Sequence, residues 1–235
     1  MTNDHISSAF DTDLDGVQAE IMKMGGLVEN AIRLGMEALE SRDDTLAQQV
    51  RSADEVIDQL EETINEHAAR IIALRAPTAV DLRLILSVIK ISSNLERIGD
   101  YAKNMAKRTQ LLSQAAPISD SVGTLRRMTR TVEGMLKDAL DAYIQRDAAL
   151  ATDVIARDVD VDQMYNALFR ELLTFMMEDP RNITACLHLH FISKNTERMG
   201  DHVTSIAEQV VYLTTGTKPA EARPKADETS TKKGG

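Results

Sequence analysis

Apolar residues recur every three or four positions through most of the chain, the spacing that places them on one face of an α-helix. In the second of six such segments they fall at Leu46, Val50, Ala53, Ile57, Leu60 and Ile64. In the third they fall at Leu84, Val88, Ile91, Leu95, Ile98, Ala102 and Met105. Alternating steps of four and three predict long helices packed nearly parallel or antiparallel, at about 20°. Val and Thr nowhere form alternating runs bounded by turn residues, so no strands are expected.

The breaks between segments are short. Arg42-Asp43-Asp44 separates helices one and two, and Pro77-Thr78 separates two and three, with Thr78 and Asp81 spaced to cap the third. Pro117 and Ser119 open the fourth helix after an Ala-rich connection. Asp147 is placed to cap the fifth, and Pro180 with Asn182 divides the fifth from the sixth. The tail from Thr217 onward, rich in Lys, Pro, Thr and Gly, is expected to be disordered.

The pattern repeats. Asp54-x-x-x-Asp58-Gln59 returns as Asp158-x-x-x-Asp162-Gln163, an offset of 104 that also aligns Val28-Glu29 with Val132-Glu133 and Arg42-Asp43 with Arg146-Asp147. Asn94-Leu95-Glu96-Arg97-Ile98-Gly99-Asp100 returns as Asn195-Thr196-Glu197-Arg198-Met199-Gly200-Asp201 at an offset of 101. The three-residue change falls between the second and third helix of a unit, where a loop belongs. The expected fold is all-α: six long helices in two tandem three-helix bundles with a pseudo-twofold internal repeat. The first spans residues 10–115, the second 117–215, and residues 216–235 form the tail.

Composition supports helix over sheet, with 43% hydrophobic residues, 3% aromatic, no Trp and eleven Met. Met22, Met24, Met176 and Met177 read as core filling. The balance of 27 basic against 37 acidic residues gives a net charge of −10, which disfavours nonspecific nucleic-acid or anionic-lipid binding. No apolar run is long enough to span a bilayer. Met1 to Asp15 holds four aspartates and no basic region, so no signal peptide is expected. The single cysteine, Cys186, excludes an internal disulfide and suits a reducing compartment. A cytoplasmic protein is expected.

The acids supply the candidate chemistry. Residues four apart share a helix face, so Asp54 pairs with Asp58 and Glu96 with Asp100. The second half repeats both pairs, as Asp158 with Asp162 and Glu197 with Asp201. Each acid lies one or two positions from an apolar residue of the stripe, as Asp54 follows Ala53, which predicts a place on the shoulder of the packed face. Such acids can be simply the solvated edge of an amphipathic helix. Their recurrence in both halves favours instead four carboxylates converging from two adjacent helices, an arrangement that suits a hard or borderline cation. Gly99 and Gly200, costly in mid-helix by roughly 1 kcal/mol, call for a close helix approach or room for an ion. Gly25-Gly26 marks a kink or a tight contact. Tyr101 stands where His202 follows the second motif, so no His ligand is shared; His188 and His190 face different sides of their helix, and His67 belongs to the surface or bundle edge.

Met24-Gly25-Gly26-Leu27-Val28-Glu29, Asp81-Leu82-Arg83-Leu84, Asn94 to Asp100 and Glu197-Arg198-Met199-Gly200-Asp201-His202 together resemble the PhoU-type phosphate-signalling regulators, from about Leu14 to Leu213. The resemblance implies metal ions (iron, zinc, manganese or magnesium) held by Asp54, Asp58, Glu96 and Asp100 in one half and by Asp158, Asp162, Glu197 and Asp201 in the other. It also implies a cytoplasmic negative regulator of phosphate uptake and of the phosphate-starvation regulon. In that role an adaptor joins the ATPase subunit of a phosphate ABC transporter to a phosphate sensor histidine kinase, and a homodimer is expected. Two departures are Tyr101 in the first motif and the Lys-rich tail.

No catalytic residues are expected, since the chain offers no nucleophile with a base and no phosphate-cradling Gly-rich loop. The alternative is a carboxylate-bridged di-metal oxidoreductase in a helical bundle. Such sites normally add Glu-x-x-His, and no Glu here has His three residues later. Direct DNA binding fails on charge and on the lack of a basic recognition helix.

Overall fold

The computed structural model describes residues 2–113, 119–217 and 219 of the chain. Its long helices are α1 (Thr2–Ser41), α2 (Asp44–Arg75), α3 (Ala79–Leu112), α4 (Ser119–Gln145), α5 (Ala148–Glu178) and α6 (Ile183–Thr215). A single 3-10 turn, Pro180–Asn182, joins the last two. No strand occurs among the described residues. Pro117 and all but three residues of the predicted tail lie outside them.

In both halves the first and second helices are joined by the same turn, built from the same two residues. Arg42 and Arg146 each adopt a left-handed φ of 56°, which stops the preceding helix. The next residue's amide then reaches back to close it, Asp43 N to Ala38 O and Asp147 N to Ala142 O, both at 3.0 Å. The aspartates start the following helix: Asp43 Oδ1 accepts from the amides of Thr45 and Leu46, Asp147 Oδ1 from those of Ala149 and Leu150. Thr78 behaves differently from the expectation. It occupies the N-cap of α3, but its hydroxyl donates to Asp81 Oδ2 at 2.7 Å instead of accepting a backbone amide.

Within each half the helices run up, down and up. Arg75 pairs with Asp13 at 2.9 Å and His67 with Glu20 at 3.0 Å, so α1 and α2 are antiparallel and His67 sits at the bundle edge as expected. The halves join through α3 against α6 and α1 against α4. Arg83 lies over the Tyr212 ring, Asn94 meets His202, and Arg108 meets His188. Rising numbers on α3 thus meet falling numbers on α6. Tyr101 and His202 occupy equivalent positions in the repeat, and their rings face one another at 5.7 Å. That contact marks a pseudo-twofold axis through the α3–α6 seam.

The core follows the predicted stripes with instructive exceptions. On α2 the buried residues are Ala47, Val50, Asp54, Ile57, Leu60, Ile64, Ala68 and Ile71. Ala53 is exposed and Asp54 takes its place, so the shoulder position predicted for this acid is wrong. Met24 fills the core, and Met22 and Met176 pack against it. Met177, also expected to fill the core, is 85% exposed, because it lies in the last turn of α5. Gly25 is a tight helix contact: a Cβ there would stand 2.5 Å from Leu140 Cδ1 on α4, whereas one on Gly26 would meet nothing within 4 Å.

Asp43→Ala and Asp147→Ala are each expected to cost about 1 kcal/mol in urea unfolding, because each strips two amide partners from a helix start. Being far apart, their effects should add. Gly26→Ala should stabilise α1 by up to about 1 kcal/mol, while Gly25→Ala, forced against Leu140, should not.

Candidate metal centre

Asp54 belongs to the buried stripe of α2 at 2% exposure, facing α3. Its approach depends on Gly99: a Cβ there would meet Ile57 at 3.2 Å and Asp54 Oδ1 at 3.6 Å. Gly200 serves the same purpose in the second half, where an added Cβ would meet Asp158 Oδ1 at 3.2 Å and Val161 at 3.4 Å. The glycine of each Glu-Arg-x-Gly-Asp motif therefore leaves space for an aspartate of the neighbouring helix. The close helix approach expected from the mid-helix glycines is present in both halves.

Burying a carboxylate costs several kcal/mol unless a cation and hydrogen bonds offset it. In the first half Lys103, one turn after Asp100, donates to Asp54 Oδ2 and lies 3.6 Å from Asp100 Oδ1. That hydrogen bond holds the Lys103 ammonium above its usual range. Arg97 reaches back to Glu96 at 3.4 Å and forward to Asp100 at 3.8 Å, and Glu96 and Asp100 keep side-chain exposures of 21% and 33%. Asp58, on the solvent side, is exposed.

The four acids of this half feel one another. Burial, and then the Asp100 carboxylate, push the Glu96 carboxyl up to about 7 against the pull of Arg97. Burial, then the Asp54 carboxylate, raises Asp58, with Lys103 working the other way. Glu96 and Asp58 thus resist ionising, as carboxyls near like charges in a partly desolvated space must. Asp58 lies within electrostatic reach of Asp54 and Asp100, and Glu96 within reach of Asp100 and Asp58.

The second half buries its acids more deeply, with Asp158 at 1%, Asp162 at 3% and Glu197 at 4% exposure, and Asp201 half-buried. Lys194 pairs with Glu197 Oε1 at 3.0 Å and lies 4.9 Å from the centre of the Tyr165 ring. Neither lysine has a counterpart in the other half: Lys103 corresponds to Thr204, and Lys194 to Ser93. Both were legible as basic residues three positions from a motif acid, but their bearing on the site was missed.

His202, which sequence analysis set aside only as a shared ligand, lies at the seam between the halves. The Asn94 amide donates to Lys90 O at 2.7 Å, so its Oδ1 is left to accept from His202 Nδ1, 2.8 Å away. Burial, Arg97 and Arg198 hold this imidazole below its ordinary range, hence neutral. It joins the first half's motif to the second's. His188 contacts Arg108 on α3, while His190 packs on Tyr165 and Phe169 of α5, so the two face apart as expected.

The donor chemistry suits a hard or borderline divalent ion, since each half offers four carboxylates and the glycines leave a cradle that a Cβ would narrow. As the side chains stand, no three His, Cys, Asp or Glu among the described residues are disposed to hold one ion. Chelation would require carboxylates to turn away from their lysines.

Comparison with known proteins follows the same division. A family model described as the PhoU domain matches residues 21–109 and 125–210. A phosphate-specific transport system accessory protein PhoU homolog of Caulobacter vibrioides is 46% identical over 224 residues, covering 95% of this chain and 97% of the relative. Its counterpart in Rhizobium meliloti is 45% identical over 231 residues, 98% of each. The crystal structure of PhoU from Pseudomonas aeruginosa matches with a TM-score of 0.86 at 42% identity, covering 88% of this chain and 100% of that one. The phosphate transport system regulatory protein PhoU from Streptococcus pneumoniae matches at 0.84 and 30% identity, covering 90% and 100%.

Glu96 makes the metal-free protein sensitive to pH. Its folded pKa lies above the unfolded value, so the folded state binds more protons between pH 4.5 and about 7. The stability it contributes is present in full below pH 4.5 and is lost as pH rises through 7. In EDTA-treated protein, Glu96→Gln should flatten the decline of unfolding free energy across that window relative to the parent.

Proposed function

The chain belongs to the PhoU family, and on that footing we propose that it is a regulator of phosphate homeostasis that restrains phosphate uptake and the phosphate-starvation response. It acts as an adaptor between the ATPase subunit of a phosphate ABC transporter and a sensor histidine kinase, on the cytoplasmic side of the membrane. The observation that carries this reading is the match of the family model to both halves, together with relatives named as accessory proteins of phosphate-specific transport over nearly their whole length. No described helix is long and apolar enough to cross a membrane.

Metal binding is part of the proposal. Asp54, Asp58, Glu96 and Asp100 in the first half, and Asp158, Asp162, Glu197 and Asp201 in the second, would hold the ion. A bound ion would supply positive charge at the seams α2–α3 and α5–α6. The chain's own residues set the geometry it would meet: glycines 99 and 200 admit the aspartates, and Arg97 pairs with Glu96 and Asp100.

Deleting the gene should leave phosphate-starvation genes switched on in phosphate-rich medium, measured by transcript level. A tagged copy should restore repression and bring down the transporter ATPase and the sensor kinase from phosphate-replete cells. Normal repression in the deletion strain would sink the proposal.

A further inference from the structure

The repeat leaves each half with an outer face on its second and third helices, and the two faces differ. On α6, Ile183, Leu187 and Phe191 stand four apart and so share one helix face, yet they are 41%, 42% and 47% exposed. On α5 a second stripe runs through Phe169, Leu173 and Met177, again four apart, with Phe169 half-buried and the other two exposed. The stripes are neighbours. Only the Pro180–Asn182 turn and its flanking residues lie between Met177 and Ile183 at one end. At the other end His190 lies 5.1 Å from the Phe169 ring and 6.0 Å from the Phe191 ring.

The fold does not require this apolar face. By the repeat offsets of 104 and 101, Phe169, Leu173 and Met177 are replaced in the first half by Asn65, Ala69 and Ala73, and Phe191 by the exposed Lys90. Ile183 and Leu187 keep apolar counterparts in Leu82 and Leu86. A helix pair packed on the same plan therefore stands without two phenylalanines and a methionine on its outer face. A contiguous apolar patch that packing does not demand marks a binding face, and Phe and Met are enriched in such faces.

The surrounding charge points to what binds there. The chain carries a net charge of −10, yet it has no acid between Asp100 and Asp120, and none between Asp179 and Glu197. The charged residues of those two stretches are Lys103, Lys107, Arg108, Arg181 and Lys194, all basic. Arg108 lies over the patch itself, 4.2 Å from the centre of the Phe191 ring. Asp179, at the turn, is engaged by Arg181 at 2.7 Å. An apolar face in a basic frame is complementary to a partner that is both apolar and acidic. A second copy related by a twofold axis would set the same basic residues against themselves, and the overall charge opposes an anionic membrane. We propose that the outer face of α5 and α6 docks an acidic amphipathic helix of another protein, its apolar residues laid along the two stripes. The docking does not depend on ion binding at the carboxylate seams.

The test places the photo-cross-linker p-benzoylphenylalanine at position 187 of the full-length protein in living cells and sequences the cross-linked peptides by mass spectrometry. The expected product joins position 187 to a segment of another protein with apolar residues three and four apart and a net negative charge. The same probe at position 86, the first half's equivalent, should give about tenfold less of it. Phe191→Lys, which installs the first half's residue, should lower the yield at 187 about tenfold. Thermal melting by circular dichroism checks that this variant keeps its fold, and Leu173→Ala, also a first-half residue, takes its place if it does not. Cross-linking of position 187 to a second copy of the chain, to lipid or to a segment without net negative charge overturns the inference. So does the absence of any product, or a yield that the folded variant leaves unchanged.

Discussion

The structure turns on the burial of a carboxylate in the seam between two helices. Asp54 and Asp158 occupy positions in the apolar stripes of α2 and α5 that a leucine could fill, at 2% and 1% exposure. A buried charge of this kind is tolerated only with a partner and a close fit. The close fit demands glycine opposite, at 99 and 200, and partnership at Asp54 demands Lys103. Much of the repeated frame of each motif follows from this. In both motifs the Gly admits the neighbour's aspartate, and in the first the Arg pairs with Glu96 and Asp100.

Periodicity made the helices legible, because six long amphipathic segments leave few alternatives and every break carries a cap or a proline. The duplicated Arg-Asp turn shows how far local chemistry reaches: the aspartate cap at Asp147 could be read directly, whereas the left-handed arginine before it could not. Hydrophobicity alone misplaced the stripe of α2, since it prefers Ala53 to an aspartate. The ion pair that allows the reversal joins residues 49 apart and exists only once α2 has folded onto α3. Met177 failed because it lies in the last turn of its helix, turned to solvent while its neighbour Met176 packs on the core.

The acids themselves were found from spacing and repetition, and the family resemblance supplied their proposed role. What neither gave was the state of the site. Lys103 and Lys194 could be seen three positions from motif acids, but an i,i+3 pair along one helix looks like ordinary surface chemistry. Only the fold shows that Lys103 reaches across to an enclosed aspartate of another helix. The same applies to His202, whose bond to Asn94, 108 residues away in the chain, ties the two motif copies together.

The contact of Tyr101 with His202 on the pseudo-twofold axis has a further meaning. Two separate copies of a three-helix unit, meeting across a true dyad, would have to carry the same residue at that position. Tyrosine faces histidine here, and lysine at 103 answers to threonine at 204, because a single gene encodes both copies and lets each mutate alone. Covalent fusion thus converts a symmetric pairing into a heterodimer in one chain, in which each lobe can carry residues the other lacks.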